Sequence, residues 1–271
     1  MKNFENKVVA ITGGATGIGF SFAKRFGQEG AKIAICSIQP DRLEQAVKEL
    51  ALLGIDAKWF KCDVTVREEV ESFAEFAWNE FGHVDVIINN AGIMLPNTPT
   101  IDTPEKDVRK IFDVNFYGVW NGVAVFGKRF IEQGTPAAIY NVGSENSLFN
   151  GVPMGAAYVS TKHAVLALTE ALYEEMPEFI DVGLICPGFV TSELGDPEAM
   201  KMGMDTDKYT GSAMEQIKNN EFFIVSHAYN IVHIDKRYNA VSRAFKKYAP
   251  RYDGDEEYDV RTLFTQMTTN Q

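Results

Sequence analysis

Long apolar runs are missing from this 271-residue sequence. A helix that crosses a bilayer needs about 20 consecutive apolar residues, so we predict no membrane span. The apolar run that precedes the first glycines is too short for the core of a secretory signal peptide. With 45% hydrophobic and 23% charged residues, the composition is that of an ordinary globular protein, and we expect a cytoplasmic location.

Cysteine and histidine are scarce. The three cysteines, Cys36, Cys62 and Cys186, form no C-x-x-C pair and adjoin apolar runs, which predicts buried, reduced thiols. The four histidines lack the helical spacing of a metal-binding pair. We therefore expect structural or surface roles for them and no metal site: His83, His163, His227 and His233.

Positive charge is also in short supply, because the net charge is −11. This balance argues against nucleic acids and anionic membrane surfaces as partners. No Gly-Lys-Ser or Gly-Lys-Thr sequence is present, which argues against a P-loop nucleotide triphosphatase.

Short β-branched runs alternate with amphipathic segments along most of the chain. The strand-like runs are 7–12, 31–36, 56–62, 84–89, 137–142 and 181–186, with a final run at 221–226. The helix-like segments are 17–29, 40–53, 66–81, 104–131 and 156–178. The alternation predicts an α/β fold, a Rossmann-like doubly wound parallel sheet of about seven strands with helices on both faces. We expect one domain over 1–271.

Two segments depart from this rhythm. Residues 188–221 are rich in Gly, Met and acidic residues and follow a predicted strand. Loops after strand carboxyl ends bind ligands in such sheets, so this segment is either a substrate lid or a plain surface excursion. Residues 236–271 contain a basic cluster and then an acidic run, which is typical of a solvated tail or helix.

Tyr158 and Lys162 lie four residues apart in a predicted helix, so both side chains lie on one face. An ammonium next to a phenol favours the phenolate and makes the tyrosine a tunable proton donor. The spacing alone is weak evidence, since chance supplies such a pair in many chains of this size.

A glycine-rich turn, TGGATGIG at 12–19, joins the first strand to the first helix. Gly13, Gly17 and Gly19 carry no side chain, so the backbone can turn sharply and approach a pyrophosphate at the helix N-terminus. The spacing is wider than that of the common dinucleotide fingerprint.

Taken in order, these motifs resemble the short-chain dehydrogenase/reductase family over about residues 5–192. The resemblance rests on TGxxxGxG from Thr12, NNAG at 89–92, Asn115, Ser144, Tyr158 with Lys162, and Pro187-Gly188. It implies that Tyr158 is the general acid/base. It also implies that Lys162 lowers the Tyr158 pKa and holds the ribose, that Ser144 binds the substrate oxygen, and that Asn115 holds a proton-relay water.

Each of these residues also has a plain structural explanation. Asn115 would be a strut within a helix, Ser144 a turn or cap residue, and Asp63 a turn acid. Ser144 and Tyr158 are fourteen residues apart, one more than is usual in the family, and Ser147 is an alternative to Ser144.

The resemblance implies an NAD or NADP site in the crevice at the strand ends. Asp63 would meet the adenine, the NNAG segment the adenosine ribose, and Val190 with Ser192 the carboxamide. The predicted contacts are Gly13, Thr16, Gly17, Ile18, Gly19, Ser37, Ile38, Arg42, Asp63, Val64, Asn89, Asn90, Ala91, Gly92, Tyr158, Lys162, Pro187, Gly188, Val190 and Ser192.

The sequence does not clearly indicate whether the protein binds NAD or NADP. Ser37 stands where an acid would grip a ribose 2′-hydroxyl, and Ile38 and Thr16 stand where NADP enzymes often carry basic residues. Arg42 would reach a 2′-phosphate if the turn brings it back. With no carboxylate to repel that phosphate, the pattern favours NADP and leaves NAD open.

The predicted substrate pocket is apolar apart from one carboxylate, and it comprises Met94, Glu145, Met154, Phe189 and Leu194. Core packing is the competing explanation for its apolar members. Flexible methionines would suit a bulky substrate, and NNEFFIVSHAYN at 219–230 is similar to a branch of the family that often acts on aromatic or bulky secondary alcohols.

We therefore predict an NAD(P)-dependent oxidoreductase for a secondary alcohol and its ketone. The alternatives are a dinucleotide-binding sensor or regulatory protein without turnover, and an epimerase or dehydratase on the same fold. The resemblance implies a homodimer or homotetramer paired through helices 104–131 and 156–178.

Overall fold

A seven-stranded parallel sheet forms the centre of the protein, in the order β3-β2-β1-β4-β5-β6-β7. The structure is a computed structural model that describes residues 2–195 and 197–269. The strands are β1 (Val8–Thr12), β2 (Lys32–Ser37), β3 (Ala57–Lys61), β4 (Val86–Asn89), β5 (Ala137–Val142), β6 (Ile180–Ile185) and β7 (Phe223–Ile224). The predicted Rossmann-like sheet is confirmed.

Helices cover both faces of this sheet. The α-helices of the described residues are, in chain order, α1 (Gly17–Gln28), α2 (Pro40–Leu52), α3 (Arg67–Phe81), α4 (Glu105–Phe112), α5 (Gly118–Gln133), α6 (Ala156–Glu175), α7 (Pro197–Met200), α8 (Thr206–Lys218), α9 (Ile231–Tyr248) and α10 (Val260–Thr269), the last two in a separate unit described below. Apolar residues of α1, α2 and α8 pack on one face, and those of α3, α5 and α6 on the other.

Strand residues alternate between these two layers. Val9 and Ile11 of β1 belong to the layer with α1, whereas Val8 and Ala10 belong to the opposite layer, and all four are fully buried. A strand covered on both sides needs apolar residues at successive positions, which is why the runs show little alternation. The chain order reverses between β1 and β4, and there the carboxyl ends of the strands open into a crevice.

The predicted helix at 104–131 is interrupted in its middle. A π-helical turn, Asp113–Tyr117, separates α4 from α5. The Asn115 amide explains the interruption, because its Oδ1 accepts from Ile93 N at 2.8 Å and its Nδ2 donates to Ile93 O at 2.9 Å. Such single-turn insertions are frequent at functional sites.

The predicted lid segment, 188–221, folds into α7 and α8. Val190 pairs with Met204 in a parallel bridge, so the loop after β6 returns alongside itself. Asp207 at the start of α8 accepts from Ser21 Oγ at 2.8 Å and forms an ion pair with Lys24, which fastens α8 to α1. Residue 196 of the predicted lid lies outside the described residues.

One compact unit ends at His227, and a second begins at Ala228. The second unit contains α9, a short 3₁₀ turn at Asp255–Tyr258, and α10. The predicted tail at 236–271 falls within this unit, and residues 270 and 271 lie outside the described residues. The prediction of a single domain stays a prediction. Among the described helices, none is both long enough and apolar enough to cross a membrane.

Candidate active site

The glycine-rich turn connects β1 to the first residue of α1. Gly13 and Gly17 have positive φ angles of 62° and 55°, which glycine adopts at little cost. A Cβ on Gly19 would lie 2.4 Å from Gly13 O, so only glycine fits the close return of the chain.

The start of α1 is available to an anion. Thr16 at its N-cap makes no side-chain capping bond within the described chain, and the first turn carries no acidic residue. Unpaired N–H groups and the helix dipole at such an end favour a phosphate. These features, together with the bare glycine backbone, fit the pyrophosphate of a dinucleotide.

The NNAG segment after β4 is bonded to the same turn. Thr12 Oγ1 accepts from the backbone N–H of Asn90 at 2.9 Å and of Ala91 at 3.1 Å. Asn90 Nδ2 donates to the carbonyls of Thr12 and Gly13 at 2.9 and 3.0 Å. The predicted phosphate and adenosine-ribose residues therefore form one connected wall of the crevice.

Asp63, the predicted adenine contact, follows β3, and the residues considered for the ribose 2′ position follow β2. Asp63 Oδ1 accepts from Thr65 N and Thr65 Oγ1 at 2.9 and 2.8 Å, so this carboxylate organises the turn before α3. Ile38 is 58% exposed, as a residue at an open crevice would be. Arg42 does not stand free at this end but forms an ion pair with Glu193 from the loop after β6.

Tyr158 and Lys162 both lie on α6 and are buried, at 9% and 4% exposure. Lys162 Nζ donates to Val142 O at the end of β5 at 2.8 Å and lies 5.7 Å from the centre of the Tyr158 ring. The predicted arrangement of the two side chains on one face of a helix is therefore present, next to the carboxyl end of β5.

Burial shifts the pKa values of both groups. It raises the pKa of the Tyr158 phenol, and a hydrogen bond with Ser144 opposes that rise. It lowers the pKa of the Lys162 ammonium to about 8, because a charged amine loses its hydration there. The resemblance implies that Lys162 lowers the Tyr158 pKa; in the structure burial raises that pKa, and Ser144 is the group that opposes the rise.

Ser144 and Ser147, the two candidate serines, have different surroundings. Ser144 Oγ accepts from Asn146 N at 3.1 Å and donates to Pro187 O at 3.3 Å. Ser147 is fully buried, and its hydroxyl donates to Lys162 O at 2.7 Å. Both hydroxyls donate to a backbone carbonyl, but Ser144 is the one that interacts with the Tyr158 phenol, so it is the better placed of the two to meet a substrate there.

An apolar pocket opens beside Tyr158. Its wall contains two predicted substrate residues, Met94 and Met154, and the predicted catalytic Tyr158. The other wall residues were not indicated by the sequence: Leu95, Pro96, Asn97, Thr103, Ile111, Gly155 and Ala157. Leu194 packs against the same apolar cluster, and Phe189 is 47% exposed. Met154 has a φ of 58°, a conformation that side-chain-bearing residues seldom adopt.

Glu145 is placed differently from the other predicted pocket residues. It follows Ser144 in the chain and is buried, and its Oε1 accepts from His227 N at 2.8 Å. From the sequence alone we expect only a structural or surface role for His227. Its place directly after the last predicted strand, at the carboxyl edge of the sheet, was the available signal that it would lie near the site.

The comparisons with known proteins agree with this geometry. A family described as short chain dehydrogenase matches residues 7–202. A diacetyl reductase [(S)-acetoin forming] from Staphylococcus epidermidis is 33% identical over 70% of this chain and 74% of its own length. A probable NADP-dependent mannitol dehydrogenase from Yarrowia lipolytica is 32% identical over 72% of this chain and 70% of its own.

A solved structure extends the likeness to three dimensions. A short-chain dehydrogenase/reductase from Burkholderia phymatum, in complex with NAD, superimposes with a TM-score of 0.86 at 26% identity. The match covers 90% of this chain and 97% of that one. From its fold, its matched residues and these relatives, the chain belongs to the short-chain dehydrogenase/reductase family of oxidoreductases.

Proposed function

We propose that this protein interconverts a secondary alcohol and a ketone, with Tyr158 as the general acid/base. The observation that carries this proposal is the position of Tyr158, whose phenol is hydrogen-bonded to Ser144 and lines an apolar pocket. The glycine turn lies at the same edge of the sheet. The names of the two relatives, a reductase and a dehydrogenase, support the same class of reaction.

Different residues of this chain have different roles in the reduction of the ketone. Ser144 donates a hydrogen bond to the substrate oxygen and stabilises the charge that develops there. Tyr158 donates its proton to that oxygen, and the raised pKa keeps this proton on the phenol near neutral pH. Lys162 and Asn115 restore the proton from the solvent side. In oxidation the same groups act in reverse.

A nicotinamide dinucleotide bound in the crevice would supply or accept the hydride. The unpaired N–H groups at the start of α1 would hold its pyrophosphate, and Lys162 its ribose hydroxyls. The relatives include an NAD-bound structure and a protein named NADP-dependent. We favour NADP here, because Arg42 lies near the end of β2, and position 37 is a serine and not an acidic residue that would repel a 2′-phosphate.

The pocket wall favours a bulky apolar substrate. Met94, Leu95, Ile111 and Met154 surround the open side of Tyr158, and methionines adapt to irregular shapes. A large or aromatic group would bury apolar surface there while its alcohol or carbonyl oxygen reaches Ser144 and Tyr158.

We also propose that the protein is a homodimer or homotetramer. Helix α5 carries Trp120 at 48% exposure, and Tyr117 in the preceding turn is 53% exposed. The Phe116 ring contacts both, edge-on to Tyr117 with ring centres 5.3 Å apart and tilted against Trp120 with ring centres 5.9 Å apart. An exposed aromatic surface of this kind is suited to a second copy of the chain.

Replacement of Tyr158 by phenylalanine tests the catalytic proposal. We expect kcat to fall by about 10²–10⁴-fold on a substrate found in a panel of bulky ketones and alcohols, because a general acid supplies that factor. Tyr173→Phe is the matched control, since this tyrosine lies on the same helix but is 60% exposed.

Cofactor binding is measured in parallel, by quenching of tryptophan fluorescence with NADH and NADPH. The Phe variant should bind cofactor with nearly unchanged affinity. If it retained turnover within about tenfold of the unmodified protein, the role of Tyr158 would be wrong. If the unmodified protein bound cofactor but turned over no alcohol or ketone, the hypothesis of a dinucleotide-binding sensor without turnover would replace the proposed oxidoreductase function.

A further inference from the structure

His227 follows β7, and its ring lies among the loops that carry the candidate active site. Its Nε2 lies 3.2 Å from Phe189 O, its Nδ1 lies 2.8 Å from Ser226 Oγ, and its backbone N–H donates to Glu145 Oε1. The side chain is 23% exposed. One residue thus joins segments that follow three neighbouring strands.

The partners of the ring assign its tautomer. A carbonyl oxygen only accepts, so Nε2 carries the hydrogen and donates to Phe189 O. In the neutral ring Nδ1 then accepts, and the Ser226 hydroxyl is its donor. Ser226 Oγ in turn accepts from Gly188 N at 3.3 Å. The bonds therefore run in one direction, from Gly188 N–H through Ser226 and His227 to the Phe189 carbonyl.

The carbonyl oxygen of Phe189 anchors the first residues of the lid segment by hydrogen bonds. It also accepts from Met204 N at 2.8 Å, next to the bridge that pairs Val190 with Met204. His227 therefore fixes the residue at which the chain leaves the catalytic edge and enters the lid.

Glu145 holds the backbone of His227 from the catalytic side. Its own N–H donates to Pro187 O at 2.9 Å, the same carbonyl that accepts from Ser144 Oγ. A Cβ on Gly188 would lie 2.2 Å from His227 Nδ1 and 2.5 Å from Glu145 Oε2, so these two side chains fill the space beside Gly188. The group therefore packs tightly against the backbone that leads to Phe189.

We propose that His227 is a positioning residue, which sets the start of the substrate lid by donating from Nε2 to the Phe189 carbonyl, with Glu145 holding its backbone. This inference rests on the proposed oxidoreductase function. It predicts an effect on substrate affinity rather than on the proton transfer at Tyr158, because His227 touches the lid and not the phenol.

Two substitutions distinguish loss of the hydrogen bond from Nε2 to Phe189 O from loss of the imidazole ring itself. In His227→Gln the side-chain amide N–H can take the place of Nε2–H and still reach Phe189 O. In His227→Asn the shorter side chain places its amide near the position of Nδ1, too far from that carbonyl. We expect the Asn variant to raise KM about 5- to 10-fold, as loss of one hydrogen bond would, with kcat within about twofold. The Gln variant should restore KM.

The tautomer gives a measurement that needs no turnover. Long-range ¹⁵N–¹H spectra of the four histidines, with His227 assigned by its loss in the Gln variant, should show the Nε2–H form. If no substrate were turned over, the proposed function would fail, and this spectrum would still decide the placement of His227.

Three results would overturn the proposal. These are an Nδ1–H ring at His227, an unchanged KM in the Asn variant, and equal impairment of the Asn and Gln variants. Thermal unfolding of all variants serves as the control, since a loss of folded protein would lower activity at every substrate concentration instead of raising KM.

Discussion

Lys162 shows how one buried side chain can serve a site and cost stability. It is 4% exposed, and its ammonium donates to Val142 O at 2.8 Å. Desolvation lowers its pKa to about 8, whereas an unfolded lysine titrates near 10.4. The folded state therefore releases this proton at a lower pH than the unfolded chain does.

The sign of the linkage follows from these two pKa values. Below pH 8 both states hold the proton, and the folded state carries the full cost of a buried charge. Between pH 8 and about 10.4 the unfolded state binds more protons, so stability rises with pH through this window. The low-pH cost is fully lost only above about pH 10.4, where the lysine is neutral in both states.

Lys162→Met should remove this dependence. We expect the difference in unfolding free energy, variant minus unmodified protein, to be about 2 kcal/mol smaller at pH 9.5 than at pH 7. Urea unfolding at both pH values measures it. Lys128→Met, at an exposed position of α5, is the control. A difference that stays constant with pH would contradict the lowered pKa of Lys162.

At the scale of elements, the loop after β6 spans the crevice. A Cβ on Gly17 would lie 3.5 Å from Ser192 Cβ, so this loop lies over the glycine turn. The next residue, Glu193, pairs with Arg42 at the start of α2. Segment 188–221 is thus joined to α1 through Asp207 and to α2 through this second ion pair.

Glu193 therefore competes for the arginine that a 2′-phosphate would need. Both side chains are about half exposed, at 45% and 59%, and exposed pairs contribute only about 0–1 kcal/mol. Glu193→Gln should lower the Kd for 2′,5′-ADP by about two- to fivefold and leave the Kd for 5′-AMP nearly unchanged. Calorimetric titration measures both ligands.

Glu198→Gln is the matched control, because Glu198 pairs with Lys201 within the lid instead. An equal change for the two nucleotides in the Glu193 variant would show that Arg42 does not meet the 2′ position. The lean toward NADP would then lose its structural support.

At the scale of the whole molecule, the aromatic cluster of half-buried Phe116 with exposed Tyr117 and Trp120 predicts self-association. We expect sedimentation velocity at micromolar concentration to show a dimer or tetramer. Trp120→Glu should weaken association at least about tenfold, because a carboxylate is costly to bury in an interface. Ile101→Glu, at a 94% exposed residue away from the cluster, is the control. A monomeric unmodified protein would reject the proposal.

Much of this molecule was readable from the sequence. The run from Val8 to Thr12 was recognisable as a strand because a strand buried on both faces must be apolar at successive positions. Gly13 and Gly17 marked a turn because glycine tolerates positive φ angles. Their order with Ser144, Tyr158 and Lys162 predicted the family, whereas the alternation of strand-like and helix-like segments predicted the fold.

Only the tertiary structure decided contacts between segments far apart in the chain. The π-helical turn at Asn115 depends on Ile93, and the role of Glu145 depends on His227, 82 residues later. The direction in which the Tyr158 pKa shifts depends on burial, which the four-residue spacing of Tyr158 and Lys162 does not reveal. Neighbours in sequence share a helix face, but desolvation and long-range hydrogen bonds arise only when the strands bring their loops to one edge of the sheet.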